Sequence, residues 1–200
     1  MLEKILRDLN LFHYLDKIEN YIEHLILKNR EINLFSRKIT KEVLIKEHIV
    51  DCLLPYSYFA NYNSITDLGT GGGLPGVLLA IIFPDKNITL IEKSPKKVLF
   101  LEEIKKSLNL KNVQIILNNV ENIDIKSQVV TCRAFKSIYE IISLTKKFFN
   151  SNGIYILYKG RIEKIKEEIS ECKKINIEYN IYKIENDFGK ERHIVICRKC

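Results

Sequence analysis

No apolar run in this 200-residue chain is long enough to cross a bilayer. The longest, Val77 to Phe83, falls far short of the ~20 residues that a spanning helix needs. Met1 to Leu11 mixes charges with apolar positions and lacks the apolar stretch of a secretory signal. Five cysteines, an odd number, make no obvious disulfide framework. Cys197 and Cys200 form a lone C-x-x-C with no second pair of ligands at matched spacing. No metal is therefore expected, and both read as free thiols near a terminal strand. No repeat or low-complexity tract stands out. These absences predict a reduced, cytoplasmic protein with no membrane role, and since nothing demands an oligomer, a monomer.

What is present suits one packed domain. Hydrophobic residues make up 46% and charged residues 28%, ordinary values for a soluble fold. The net charge of +7 favours anionic partners such as nucleic acid. The pattern changes near residue 61. Before it, Leu2, Ile5, Leu6 and Leu9, then Leu15, Ile18, Ile22, Leu25 and Ile26, recur at helical spacing. A third helix is expected over Lys41 to Tyr58, kinked or ended near Pro55. After residue 61, strand-like stretches (Ser64–Leu68, Asn87–Ile91, Val113–Leu117, Val129–Cys132, Gly153–Tyr158) alternate with helical ones (Leu74–Phe83, Pro95–Leu108, Ser137–Phe149, Ile162 to about Lys173). Two β-prone runs, Ile175–Ile184 and His193–Cys197, close the chain. Such alternation predicts an α/β fold with a parallel sheet covered by helices on both faces. We expect an α/β core over 61–200 with a helical extension over 1–60. Ligands in such folds bind at the carboxyl ends of the strands.

The strongest local signal stands at the end of the first strand, in Asp67-Leu-Gly69-Thr-Gly71-Gly72-Gly73-Leu74-Pro75-Gly76. Glycines let a backbone turn tightly and approach a ligand, and a helix start behind them offers free N–H groups. Gly71, Gly73 and Gly76 fit the dinucleotide pattern G-x-G-x-x-G. Asp67, Gly69, Gly71 and Gly73 fit D-x-G-x-G-x-G, the pattern of S-adenosylmethionine binders. The acidic Asp67 favours the second, because a carboxylate can orient the turn and attract a cationic cofactor but repels a pyrophosphate. No Gly-Lys-Ser/Thr follows, which excludes a P-loop. Glu92 ends the second strand, where an acid can accept both ribose hydroxyls of either cofactor. Asn119-Val120-Glu121-Asn122 stands in the third loop, where a polar residue can meet the adenine amino group. Thr131-Cys132-Arg133-Ala134-Phe135 ends the fourth strand. It contains no Asn-Pro-Pro-Tyr, and no Pro-Cys exists in the chain, so amino-group and cytosine carbon-5 methylation both lack their usual residues. Cys132 reads as a buried strand residue, with Arg133 on the opposite face.

These segments are similar to those of the RsmG (GidB) family, bacterial small-subunit (16S) ribosomal RNA methyltransferases. Asp67 to Gly76 resembles that family's Asp-Val-Gly-Ser-Gly-Ala-Gly-Phe-Pro-Gly. Lys96-Lys97-Val-Leu-Phe-Leu resembles its Lys-Arg-x-x-Phe-Leu, and Arg133-Ala134, Lys159-Gly160 and Arg192-His193 resemble its Arg-Ala, Lys-Gly and Arg-His. Ile32-Asn33-Leu34 and His48-Ile-Val-Asp51 resemble its Asn-Leu-Thr and His-x-x-Asp-Ser. The likeness covers nearly the whole chain. Asn119 and Cys52 depart from it, where the family often has arginine and serine.

The resemblance implies a Rossmann-like class I methyltransferase fold with a mostly parallel seven-stranded sheet. It implies methyl transfer from S-adenosylmethionine to N7 of a guanine in the 530 loop, with small-subunit ribosomal RNA or the small subunit as partner. Gly69, Leu74, Glu92, Val120, Glu121 and Arg133 would contact the cofactor, beside Asp67, Gly71 and Gly73 of the turn. Guanine N7 carries a free lone pair, so no acid–base residue is expected, and positioning suffices. Arg133, Lys159 and Arg192 are the positioning candidates, and Arg30, Asn33, Arg37, Lys38, His48 and His193 the RNA-binding ones. The residues by themselves also allow a methyltransferase for a small molecule or protein, an NAD-dependent oxidoreductase, or a non-catalytic RNA-binding protein.

Overall fold

A computed structural model describes residues 1–149, 153–186 and 189–199. Two helices open the chain, α1 (Leu2–Asp8) and α2 (Leu15–Lys28). Then come α3 (Lys41–Leu44), a π-helical turn (Ile45–Ile49) and α4 (Val50–Leu53). The single helix expected over Lys41 to Tyr58 is thus a composite. Its α-helical part ends just before Pro55, and a 3-10 turn, Tyr56–Phe59, follows. A π turn often marks a functional site, and this one carries Glu47 and His48.

The remainder is the alternating unit: β1 (Ser64–Leu68), α5 (Gly76–Ile82), β2 (Asn87–Glu92), α6 (Pro95–Ser107), β3 (Val113–Leu117), β4 (Val129–Arg133), α7 (Ile138–Thr145), β5 (Ile154–Lys159), α8 (Ile162–Glu171), β6 (Ile177–Lys183) and β7 (His193–Lys199). The seven strands lie in the order β3-β2-β1-β4-β5-β7-β6. The first five are parallel, and β7 runs antiparallel to β5 and β6. The α/β fold is the one expected from the alternation, and the mostly parallel, seven-stranded Rossmann-like sheet is the one the resemblance implied. The helix expected from Leu74 starts two residues later, at Gly76, and Pro75 precedes it with a cis bond to Leu74. The helix expected to reach Phe149 ends at Thr145.

Both faces of the sheet are buried at its central strands, and β5 shows why. In β5, Ile154, Ile156 and Tyr158 join one core while Tyr155 and Leu157 join the other, as strand alternation requires. The first core packs against the N-terminal helices through Leu6, Ile18, Tyr21, Ile22 and Leu25. The second is closed by Ile138, Ile141 and Ile142 of α7 and Ile165 of α8. Helix α5 is buried at every position, in keeping with a sequence that is apolar all round. The two directions of winding part between β1 and β4, so the loops after these strands flank a natural crevice.

Close packing beneath the glycine turn makes Gly76 intolerant of a side chain. A Cβ on Gly76 would stand 2.2 Å from Leu90 Cδ2 and 2.8 Å from the Asp67 carboxylate, whereas one on Gly160 would meet nothing within 4 Å. Gly76→Ala is expected to cost about 2 kcal/mol by overpacking and Gly160→Ala less than about 0.5 kcal/mol. Urea denaturation of the two variants checks this, and equal midpoints would contradict the packing.

Candidate functional site

The turn after β1 is built from underneath. Asp67 is wholly buried, and its Oδ2 accepts hydrogen bonds from Thr70 Oγ1 at 2.6 Å and the Gly76 N–H at 2.9 Å. Its Oδ1 has no partner. Burial pushes its carboxyl up to about 7 against the opposing effect of those two bonds. Asp67 therefore orients the turn, as its charge suggested, but stands sealed behind it. The helix N–H groups expected to face a ligand are also spent, Gly76's on Asp67 and Val77's on the Gly73 carbonyl. Gly69, Gly71 and Gly73 hold φ of 60°, 61° and 100°, a region that glycine enters without cost. From the other side, Tyr21 of α2 donates its hydroxyl to the Gly72 carbonyl at 2.6 Å.

Glu92 ties the turn to β2. Its Oε2 accepts from the Gly71 N–H at 3.0 Å, and its Oε1 from those of Lys93 at 3.0 Å and Ser94 at 2.9 Å. Beside it opens a cavity of 410 Å³ lined by Gly69, Ile91, Glu92, Asn119, Val120 and Glu121. Ile91 and Val120 give apolar walls for a flat base, and Glu92 keeps one lone pair of Oε2 free for a hydroxyl. A cavity of this size and donor set fits a nucleoside cofactor. Of the expected cofactor contacts, Gly69, Glu92, Val120 and Glu121 line it. Gly71, Gly73 and Leu74 belong to the scaffold of the turn.

A second cavity, of 490 Å³, adjoins the first along Phe135 and Lys136. It gathers segments far apart in the chain: His48, Asp51, Arg133, Lys159, Arg192 and His193. Asp51 stands at its centre. Its Oδ2 takes Arg133 Nε at 2.9 Å and its Oδ1 takes Arg192 Nε at 2.8 Å. Arg133 also donates to the Glu47 carbonyl at 2.9 Å and meets His48 Nδ1 at 3.1 Å. The guanidinium can only donate, so Nδ1 of His48 accepts. Burial first, then the charge of Arg133, push His48 down to about 4, so this imidazole is neutral at pH 7. Arg133, expected both at the cofactor and as a positioning residue, lines the second cavity and not the first. Lys159 reaches Glu168 at 2.6 Å and the Lys136 carbonyl at 2.9 Å, and His193 Nδ1 faces the Gly160 carbonyl at 2.7 Å.

The basic loop between α2 and α3 carries Arg30, Asn33, Arg37 and Lys38, all exposed. Buried Asn29 shapes it by accepting from the Leu34 and Phe35 N–H groups and donating to the Ser36 carbonyl. Phe35 then packs edge-on to His48, with centroids 4.6 Å apart. The expected RNA-contact residues therefore fall in two places, His48 and His193 in the cavity and the others on this neighbouring loop. Three residues were not foreseen: Asp51 as the hub, Phe135 as the partition, and Glu168. Glu168 had a signal, since it lies three residues after Ile165 on the inward stripe of α8. Cys132 is buried and its thiol is pushed up to about 12 by burial, as a packed strand residue should be. Cys197 is likewise buried, while Cys200 lies outside the described residues. Among the described residues no group of histidine, cysteine and acidic side chains could hold a metal, and no helix is long and apolar enough to cross a membrane.

A family model described as rRNA small subunit methyltransferase G matches residues 14–195. The chain belongs to this family. It is 40% identical over 185 residues to the Ribosomal RNA small subunit methyltransferase G of Brachyspira hyodysenteriae, covering 90% of this chain and 89% of the relative. It is 41% identical over 162 residues to the Ribosomal RNA small subunit methyltransferase G 1 of Bdellovibrio bacteriovorus, covering 80% and 77%. Among solved structures it is similar in fold to the Precorrin-6y C5,15-methyltransferase of Geobacter metallireducens, with a TM-score of 0.58 at 16% identity over 86% of this chain and 96% of that one.

The state of His48 gives the cluster a pH signature. Its folded value, about 4, lies below the unfolded 6.5. Below pH 6.5 the unfolded chain binds a proton that the folded one refuses, so stability present above 6.5 is lost as pH falls toward 4. Urea midpoints measured from pH 7.5 to 4.5 should fall more for the wild type than for His48→Gln. Parallel profiles would mean that His48 is protonated in the fold.

Proposed function

We propose that this methyltransferase acts on N7 of a guanine in the 530 loop of small-subunit ribosomal RNA, with S-adenosylmethionine as methyl donor. The observation that carries the reading is the junction of the two cavities. A nucleoside-sized pocket with an acid at its wall opens onto a cavity lined by arginines and lysine, within a chain of this family.

The cofactor supplies an electrophilic methyl group. The protein has to bind both reactants and hold them in line. Glu92 would accept a ribose hydroxyl while Ile91 and Val120 would enclose the adenine. The N7 lone pair needs no base to uncover it, which agrees with a second cavity whose one imidazole partnered to an arginine is neutral and serves as an acceptor. Arg133, Lys159 and Arg192 hold the acceptor through O6 or phosphate and leave N7 open. Arg30, Asn33, Arg37 and Lys38 meet the RNA backbone. In this reading residues 1–60 extend a single methyltransferase domain, which works as a monomer in the cytoplasm on the small subunit or its RNA.

The test is methyl transfer from labelled S-adenosylmethionine to small subunits lacking the modification, with the product base mapped. Label on N7 of one guanine in the 530 loop is expected. Glu92→Gln, checked for folding, should weaken cofactor binding about tenfold or more by calorimetry, since it loses charge-assisted bonds. Wild-type protein that binds the cofactor and labels no ribosomal RNA would rule the substrate out.

A further inference from the structure

We propose that Phe135 is the platform on which the acceptor guanine lies during transfer; this deepens the reading above and rests on it. Phe135 lines both cavities, and the methyl group has to pass where they meet. Its ring lies directly over the glycine turn, since a Cβ on Gly69 would come 2.6 Å from Phe135 Cδ2. The other aromatic wall of the acceptor cavity, Tyr158, is already committed. It is buried, stacked on Phe59 and hydrogen-bonded to the Cys52 carbonyl.

The segment carrying the ring is held at both ends. Arg133 is fixed by Asp51, His48 and Glu47. Ala134 then takes φ of 53°, a left-handed conformation that a residue with a Cβ rarely adopts and that redirects the chain after β4. Beyond Phe135, Lys159 grips the Lys136 carbonyl. Ser137 and Glu140 close a capping box at the start of α7, and Glu168 accepts the Ile138 N–H. Such anchoring presents one side chain in a fixed place, as in-line transfer requires.

The chemistry gives the ring a second use. The N7 lone pair forms the new N–C bond, and the S–C bond pair passes to sulfur. The positive charge moves from sulfonium to purine, and no proton is transferred. Three of the nearby cations are held by acids, Arg133 and Arg192 by Asp51 and Lys159 by Glu168. The face of an aromatic ring carries partial negative charge and attracts a cation, and stacking on it is available to any base.

Phe135→Leu keeps apolar bulk without a π-face, and Phe135→Trp keeps the face. The leucine variant should slow single-turnover methylation of small subunits about thirtyfold and weaken binding of a 530-loop oligoribonucleotide, with S-adenosylhomocysteine present, about tenfold in fluorescence anisotropy. Its calorimetric affinity for S-adenosylhomocysteine should stay within about twofold of wild type, and tryptophan should restore both RNA readouts. A leucine variant that binds and methylates RNA like wild type overturns the proposal. So does one that loses S-adenosylhomocysteine and RNA affinity together, because the ring then packs the cofactor. Failure of the wild type itself to label the RNA would instead overturn the substrate reading.

Discussion

One carboxylate joins the two halves of the molecule. Asp51, on the helical extension, receives Arg133 from the end of β4 and Arg192 from just before β7. Two guanidiniums held near each other in a partly buried cavity repel, and each loses hydration. A single acid between them screens their repulsion and fixes both orientations. The second cavity exists in this form because of that arrangement. Without Asp51 the two arginines would repel with no acid between them, and the segment before Phe135 would lose an anchor.

The glycine turn depends on a parallel device. Asp67 and Glu92 are both buried acids, and both accept backbone N–H groups of the turn or its neighbours. They differ in what they face. Asp67 lies below the turn with one oxygen unpartnered, so desolvation outweighs its bonds and raises its pKa. Glu92 borders the cavity and receives three N–H donors. Two acids near the ends of neighbouring strands thus do different work. One shapes the backbone from below, and the other shapes it from the wall of a cavity.

The helical extension contributes more than basic charge. Tyr21 binds the Gly72 carbonyl, and Leu25, Leu34 and Phe35 crowd the space beside Gly72. Phe35 in turn touches His48. The loop that carries Arg30, Arg37 and Lys38 therefore touches both the glycine turn, through Leu34 and Phe35, and the second cavity, through Phe35 and His48.

The sequence alone was enough to read the parallel sheet, the succession of strands and helices along the chain, and the tight glycine turn after β1. Those depend on local periodicity and on glycines whose spacing reflects backbone geometry, and Ser64–Leu68 and Val113–Leu117 are the strands expected to the residue. Helix ends were less legible. Pro75 suggested an earlier start for α5, but the side chain of Asp67 caps Gly76 instead, a contact across the turn that no local propensity encodes. Tertiary structure alone decided the second cavity. His48, Asp51, Arg133, Lys159 and Arg192 come from four separate segments, and only the parallel sheet and the helices packed on it bring them together. Each long-range ion pair there depends on chain closure over more than eighty residues. The function of a charged residue in such a cluster is set by the partner it meets, and the partner is fixed by the fold.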